Sequence, residues 1–408
     1  MSIIVQKFGG TSIADAEKIH RAARRAIKTK LDGHQVVMTV SAMGKTTDKL
    51  VALANQVNPN PPKREIDMLL TTGEQVSISL MAMAIAAAGH EAISFTGGQI
   101  GMVTDSAHTK ARIQSVDADR IHRHLDEGKI VIVAGFQGIT EEGAITTLGR
   151  GGSDTTAVAL AAVLKADACE VYTDVDGVYT TDPRIVPQAR KMHEITYDEM
   201  LELASLGAGV MHSRSMEFGK KYNVPIHVRS SLTDSKGTMI VPETTGMEEI
   251  VVRGVTLKRD MAVVVLIGVP NKPGIASQIF ARIAKHNIIV DDIIQNVYEH
   301  GHEANIGFST SQSDVKEAGT ICEEMAKDIG FKQVEVDENV AKVSIVGIGM
   351  KSHTGVAAKM FTALAKEKIN IQNIATSEIV ISCIIDQKDG ERALQALHAT
   401  FELDKNAD

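Results

Sequence analysis

The run Gly274-Ile275-Ala276, followed by Phe280, Ala284-Lys285, Ile288 and Ile293, returns as Gly355-Val356-Ala357, Phe361, Ala365-Lys366, Ile369 and Ile374, with the constant displacement of 81 that separates 274 from 355. A repeat without gaps means two copies of one folding unit. Each copy opens on an apolar strand (263–269 and 343–348), turns at a glycine, runs through an amphipathic helix and returns as a strand. So small a unit cannot cover its own sheet, so the copies are expected to pair, and the crevices between paired copies suit a small effector.

Ahead of the repeat the pattern changes. Apolar strands at 35–40, 130–134 and 168–173 alternate with helices at 78–88 and 155–164, the signature of a layered α/β domain with a largely parallel sheet. The polar stretch 232–249, with Thr233-Asp234-Ser235-Lys236-Gly237 and Pro242-Glu243-Thr244-Thr245-Gly246, reads as a linker. The expected domains are 1–240, a linker with the first regulatory strand at 241–261, and the two copies at 262–338 and 339–408. Met247 is placed to serve as an internal start for a short companion subunit of the regulatory half.

Composition removes several classes. With 43 basic against 51 acidic residues, a net charge of −8, no Trp and no basic tail, no nucleic-acid surface is indicated. Cys169, Cys322 and Cys383 are far apart and fit no C-x-x-C spacing, which argues against a disulfide framework or structural zinc and for small buried thiols in a reducing cytoplasm. The N-terminus lacks a basic segment, and no stretch was expected to approach the roughly 18 uncharged residues of a membrane span. A cytoplasmic protein with no membrane partner is expected.

Five polar clusters carry the chemistry. The first strand ends in Lys7-Phe8-Gly9-Gly10-Thr11-Ser12, a cation beside paired glycines whose N–H groups can approach an anion, followed by what reads as a helix adding positive potential. Ser41-Ala42-Met43-Gly44-Lys45-Thr46-Thr47-Asp48 contains Gly-Lys-Thr, but a P-loop needs glycine where Thr39 stands, so it reads as a hydroxyl-rich loop at a strand end. Thr71-Thr72-Gly73-Glu74-Gln75 reads as a helix start with Thr72 as N-cap; Glu74 there either answers the helix dipole or receives a substrate ammonium.

Thr146-Thr147-Leu148-Gly149-Arg150-Gly151-Gly152-Ser153-Asp154 fails the dinucleotide fingerprint at Asp154, and its arginine amid glycines is suited to a carboxylate. Tyr172-Thr173-Asp174-Val175-Asp176-Gly177-Val178-Tyr179-Thr180-Thr181-Asp182-Pro183-Arg184 concentrates acids at a strand end, but Val175, Val178 and Pro183 break the spacing of a calcium loop.

Together these motifs, in order and over essentially the whole chain, resemble the amino acid kinase family, and within it the aspartate kinases; the duplication is similar to tandem ACT domains. The resemblance implies a three-layer α/β catalytic domain with a parallel-rich sheet followed by two ferredoxin-like βαββαβ domains. It implies phosphoryl transfer from ATP to the side chain of L-aspartate, with Mg²⁺ held mainly by the ATP phosphates and no dedicated metal site. Catalysis would fall to Lys7 and Asp154. Ser41, Thr47, Glu74, Arg150, Gly151 and Ser153 would hold aspartate. Lys7, Gly9, Gly10, Thr173, Asp174, Tyr179, Asp182 and Arg184 would hold the nucleotide.

The resemblance also implies feedback by an end-product amino acid, threonine or lysine or both, at Asn271, Gly274, Ile275, Ala276, Gln295 and Asn296 in the first copy and His353, Gly355, Val356, Asn370 and Ser377 in the second. A homodimer or higher oligomer through the ACT domains goes with it. Two departures from the resemblance stand out: Gly209 stands where many relatives carry a lysine, so that if the lysine helps hold ATP, either another cation substitutes here or nucleotide affinity falls, and Asn271 stands where many relatives carry an aspartate. The rival readings are a catalytically silent amino-acid sensor and a kinase for another carboxylate such as acetylated glutamate.

Overall fold

The computed structural model describes residues 2–244, 251–298 and 301–405. Met247 lies outside them. Two units are present: Met1–Tyr179, Lys191–Ser205 and Gly209–Met247 form the first, and Thr180–Arg190, Leu206–Ala208 and Glu248–Asp408 the second. The expected 1–240 domain therefore gives up two short segments, and with them Asp182 and Arg184.

The first unit begins β1 (Ile3–Phe8), α1 (Ala16–Leu31), β2 (Gln35–Val40), α2 (Thr46–Val57), α3 (Lys63–Ala87), β3 (Ala92–Phe95), β4 (Val103–Thr104), β5 (Ile113–Ser115) and α4 (Asp119–Asp126). It continues β6 (Ile130–Ala134), β7 (Gln137–Ile139), β8 (Ile145–Thr147), α5 (Gly152–Val163), β9 (Ala168–Thr173), β10 (Glu194–Thr196), α6 (Tyr197–Ser205), α7 (Ser213–Tyr222), β11 (Ile226–Ser230) and β12 (Thr238–Val241). Eight strands pair in the order β10-β12-β11-β9-β1-β2-β6-β3, parallel except at β11/β12, while β5-β4-β7-β8 make a small second sheet. β12 lies inside the stretch read as linker; its polar flanks conceal a four-residue strand.

The central strands are Val/Ile runs buried on both faces, as a covered parallel sheet requires. Met38, Val40, Ile130 and Ile132 pack against α1 and α3 through Ile19, Ala23, Ile78, Met81 and Ile85. Alternation turns Val37, Val131 and Lys7 to the other face. There α5 packs on β1, β2 and β9, and its sequence is apolar on nearly every side because nearly every side is buried. This gives three layers. Among the described residues α3 alone is long and apolar enough to cross a membrane, longer than the sequence reading allowed, and half of its apolar window is buried in the domain, with Asp67 and Glu74 in its inner face.

The second unit contains β13 (Gly254–Lys258), β14 (Ala262–Pro270), α8 (Ile275–Lys285), β15 (Asp291–Val297), β16 (Glu303–Thr310), α9 (Val315–Ile329) and β17 (Gln333–Asp337). It ends with β18 (Val340–Val346), α10 (Val356–Lys366), β19 (Asn373–Thr376), β20 (Val380–Asp386) and α11 (Gly390–Thr400). Two antiparallel four-stranded sheets result, β15-β16-β14-β17 and β19-β20-β18-β13, the same spatial order twice, though only the first runs βαββαβ along the chain. The second is not confined to 339–408. Its fourth strand, β13, precedes the first copy, which is thus inserted within the second.

The repeat is visible in the packing. Ile279, Ile283 and Ile288 are buried in the first core, and their equivalents Met360, Leu364 and Ile369 in the second. Gly274 and Gly355 cap α8 and α10 at φ of +92° and +85°, a left-handed turn that favours glycine. Lys342 of β18 joins the copies, paired with Asp291 and Asp292 of β15.

Candidate active site

The carboxyl ends of β1, β2 and β9 carry the motifs, where open α/β sheets bind ligands. Lys7, centred between Thr39 and Val171, is nearly buried, and its Nζ stands 2.6 Å from Asp154 Oδ1. That oxygen takes no other donor. An ammonium with one partner keeps further N–H groups to offer an anion.

The glycines after Lys7 serve close approach. A Cβ on Gly10 would lie 2.7 Å from Ala42 O, so the loop after β2 closes directly on the loop after β1, sealed by Gly44 N–H donating to Gly10 O at 2.9 Å. The expected helix does not begin there. Gly10–Ile13 form a single 3-10 turn, and α1 starts at Ala16 with Asp15 accepting from Lys18 N–H. Asp15 is the stronger N-cap, so the positive helix end is displaced from Lys7.

Thr71 to Gln75 lie in the middle of α3, not at its start; Pro62 precedes the helix, whose first turns are charged and escaped an apolar pattern. Gly73 in mid-helix is explained by Ala42, whose Cβ would sit 2.8 Å from a Gly73 Cβ. The same approach brings Ala42 N–H to Glu74 Oε1 at 3.0 Å. Oε2 is buried without a partner among the described residues. Burial pushes the Glu74 pKa up to about 7, with the Ala42 bond opposing. Ser41 and Thr47 flank this loop, half-buried.

α5 begins at the same place. Gly151 caps it at φ +67°, and a Cβ there would lie 2.2 Å from the His212 ring. Burial lowers the pKa of His212, with Asp154 opposing, so a neutral ring forms the wall. Ser153 is buried against Gly135. Arg150, by contrast, is exposed and makes no hydrogen bond or ion pair among the described residues.

After β9, Thr173 donates to Asp174, which is exposed, and Tyr179 donates to Asp176 Oδ1 at 2.6 Å. Burial works against the charge of Asp176, but Tyr179 and Lys191, at 3.0 Å, hold it below the usual carboxylate range. Tyr179 is pushed up to about 12 by burial and by Asp176. Asp182 and Arg184, in the second unit, pair with each other at 2.7 Å. Gly209 is exposed with open space around it. Ala42, His212 and Arg214 were missed by sequence reasoning; they enter through contacts no spacing announces.

In the second unit Asn271 Nδ2 donates to Gly301 O at 2.9 Å, and Gln295 donates to Asn271 Oδ1 at 3.4 Å. His353 turns back to Gly349 O, Asn370 is exposed, and Ser377 closes the turn before β20. A cavity of about 310 Å³ opens between the two copies, lined among others by Asp292, Asn296, Asn305 and Asn373. Of the expected effector contacts only Asn296 lines it.

The amino acid kinase family model matches residues 2–230, and ACT domain models match 263–321 and 343–401. Aspartokinase of Pseudomonas aeruginosa is 51% identical over all of this chain and 99% of its own length, and aspartokinase 2 of Bacillus subtilis is 51% identical with the same coverage. The chain belongs to the aspartate kinases of the amino acid kinase family. Among solved structures, E. coli aspartokinase III in complex with aspartate and ADP superposes with a TM-score of 0.85 at 26% identity, covering 98% of this chain and 99% of that one. The same enzyme in complex with lysine and aspartate gives 0.75 at equal identity. Lys7, Glu74, Arg150 and Asp154 all stand in the first unit.

Proposed function

We propose that the protein transfers the γ-phosphoryl group of ATP to the side-chain carboxylate of L-aspartate, giving 4-phospho-L-aspartate and ADP. Aspartate's side chain, with an ordinary pKa of about 4, arrives ionised, so no general base is required. The obstacle is repulsion between anions. Lys7, oriented by Asp154, and the N–H of Gly10 answer it by stabilising charge on the transferring group, while Gly9, whose own N–H donates to Tyr172 O at 3.3 Å, lets the backbone come close.

The observation that carries the reading is Glu74: a buried carboxylate with one oxygen lacking a donor is matched to a substrate ammonium. Arg150, free of any partner among the described residues, then takes the α-carboxylate, with Ser41, Thr47, Gly151 and Ser153 around it. An N-acetylated substrate would leave Glu74 unpaired and is disfavoured. Thr173, Asp174 and Tyr179 serve the nucleotide, with Asp182 and Arg184 next along the chain.

Mg²⁺ would be carried in on the ATP phosphates, with Asp174, exposed after β9, as the carboxylate offered to it. Bound there, it would neutralise phosphate oxygens. The setting is cytoplasmic, where ATP and reduced thiols coexist, and all three cysteines are free and buried. Saturating aspartate and Mg-ATP with hydroxylamine should yield aspartyl hydroxamate; none would reject the kinase in favour of a silent sensor.

The regulatory reading is feedback by lysine, threonine or both at the ACT copies, acting by differential affinity for two arrangements of the pair. Titrating activity with each amino acid, separately and together, tests it. Assembly through the copies has support in Ile293 and Ile374, equivalent positions on the edge strands β15 and β19, which are 53% and 47% exposed. Replacing both with Asp should lower the mass seen by light scattering.

A further inference from the structure

Asp67 is a carboxylate with no exposed surface, and it is fully engaged. His108 Nδ1 lies 2.7 Å from Oδ2, Thr109 N–H donates to both oxygens at 3.1 Å, and the Thr147 hydroxyl donates to Oδ1 at 2.5 Å. Converging donors offset the cost of burying a carboxylate, and here they tie the loop ahead of β5 and the end of β8 to α3 through one side chain. Seven residues along the same inner face of α3 stands Glu74.

A second clamp comes from α7. Arg214 Nη1 donates to Leu148 O at 2.9 Å and Nη2 to Ala111 O at 2.8 Å. One planar guanidinium thus spans two backbone carbonyls, a geometry a lysine cannot reproduce. Between the clamps, Gly149 is pressed so closely on the loop that a Cβ would lie 2.9 Å from Thr109 O. Residues 147, 148 and 149 are therefore each fastened. At 150 the side chain is exposed, with no partner among the described residues.

We propose that Asp67 and Arg214 are positioning residues: they hold the Arg150 loop against the helix bearing Glu74, and so set the grip on the α-carboxylate of an amino-acid substrate. The proposal rests on the aspartate kinase reading. Neither residue touches the reacting atoms, so their loss should weaken recognition of one substrate group and spare the transfer step.

The test is steady-state kinetics of Arg214→Lys and Asp67→Asn with aspartate and with aspartate α-amide, which keeps the reacting carboxylate and the ammonium but not the α-carboxylate. Each variant should raise the aspartate KM about tenfold, leave kcat and the ATP KM within about twofold, and compress the aspartate-to-amide ratio of kcat/KM about tenfold. Combining Arg214→Lys with Arg150→Met should compress the ratio no further than Arg150→Met alone. Should Asp67→Asn fail to fold, Thr147→Val carries the same expectation with the carboxylate kept. An aspartate KM within twofold of wild type, or equal losses with both substrates, would overturn the proposal. Wild-type protein forming no hydroxamate overturns the reaction itself, a different failure.

Discussion

Two lysines in this molecule sit buried against aspartates, and they are used in opposite ways. Lys342 is 3% exposed and has two carboxylates, Asp291 and Asp292, so its hydrogen-bonding capacity is spent joining the two repeats. Lys7 has, among the described residues, Asp154 alone and lies at the mouth of the parallel sheet. The saturated ammonium fastens structure; the under-saturated one, under the proposed function, meets an external anion. The same distinction separates Glu74, with an orphan oxygen, from Asp67, whose donors all come from the protein.

Removing Lys342 should break this comparison most forcefully if it is wrong. Lys342→Met leaves Asp292 buried and uncompensated, and should cost about 3 kcal/mol or more in denaturant unfolding of the regulatory unit while basal kcat stays within twofold. A large loss of kcat with unchanged stability would reverse the assignment. Gly151→Ala comes next: the His212 ring and the positive φ leave no room, and kcat/KM for aspartate should fall about a hundredfold.

Glu74→Gln sharpens the comparison with a change of sign. Its aspartate KM should rise about tenfold, whereas the ligand-free variant should melt higher, because a functional carboxylate is a burden to the empty fold. With a folded pKa of about 7 against an ordinary 4.5, Glu74 is neutral in acid; ionising it costs stability as pH rises from 4.5 to 7, an effect of order 2–3 kcal/mol that the variant should lack. Substrate binding runs the other way. Wild-type kcat/KM for aspartate should fall as pH drops below about 7, since a protonated Glu74 cannot pair the ammonium.

The smallest effects belong to the repeat glycines. Gly274 and Gly355 have nothing within 4 Å of a built Cβ, so alanine meets only the strain of positive φ, about 1 kcal/mol each, visible as a small drop in Tm with kcat unchanged.

The alternation of strands and helices and the 81-residue displacement carried the fold class because both are periodic and local. β13 was not legible as part of the second sheet: five residues of ordinary strand text carry no mark of a partner across an inserted domain. The start of α3 was hidden because its charged first turns lack an apolar stripe, and that shifted Glu74 from a helix end to its middle. At the candidate site, Lys7, Glu74 and Asp154 could be named from motifs because charge is out of place in a core, and Arg150 because it stands amid glycines. Asp67, His212 and Arg214 could not, because what distinguishes them is which backbone groups they reach in space.

The central claim is that the ammonium of Lys7 cancels the repulsion between two anions during transfer. The direct measurement is the rate of hydroxamate formation by Lys7→Met protein whose circular dichroism matches wild type, at saturating aspartate and Mg-ATP. A loss of about a thousandfold is expected from removing one preorganised charge at the reacting centre. A rate close to that of the wild type would contradict the account.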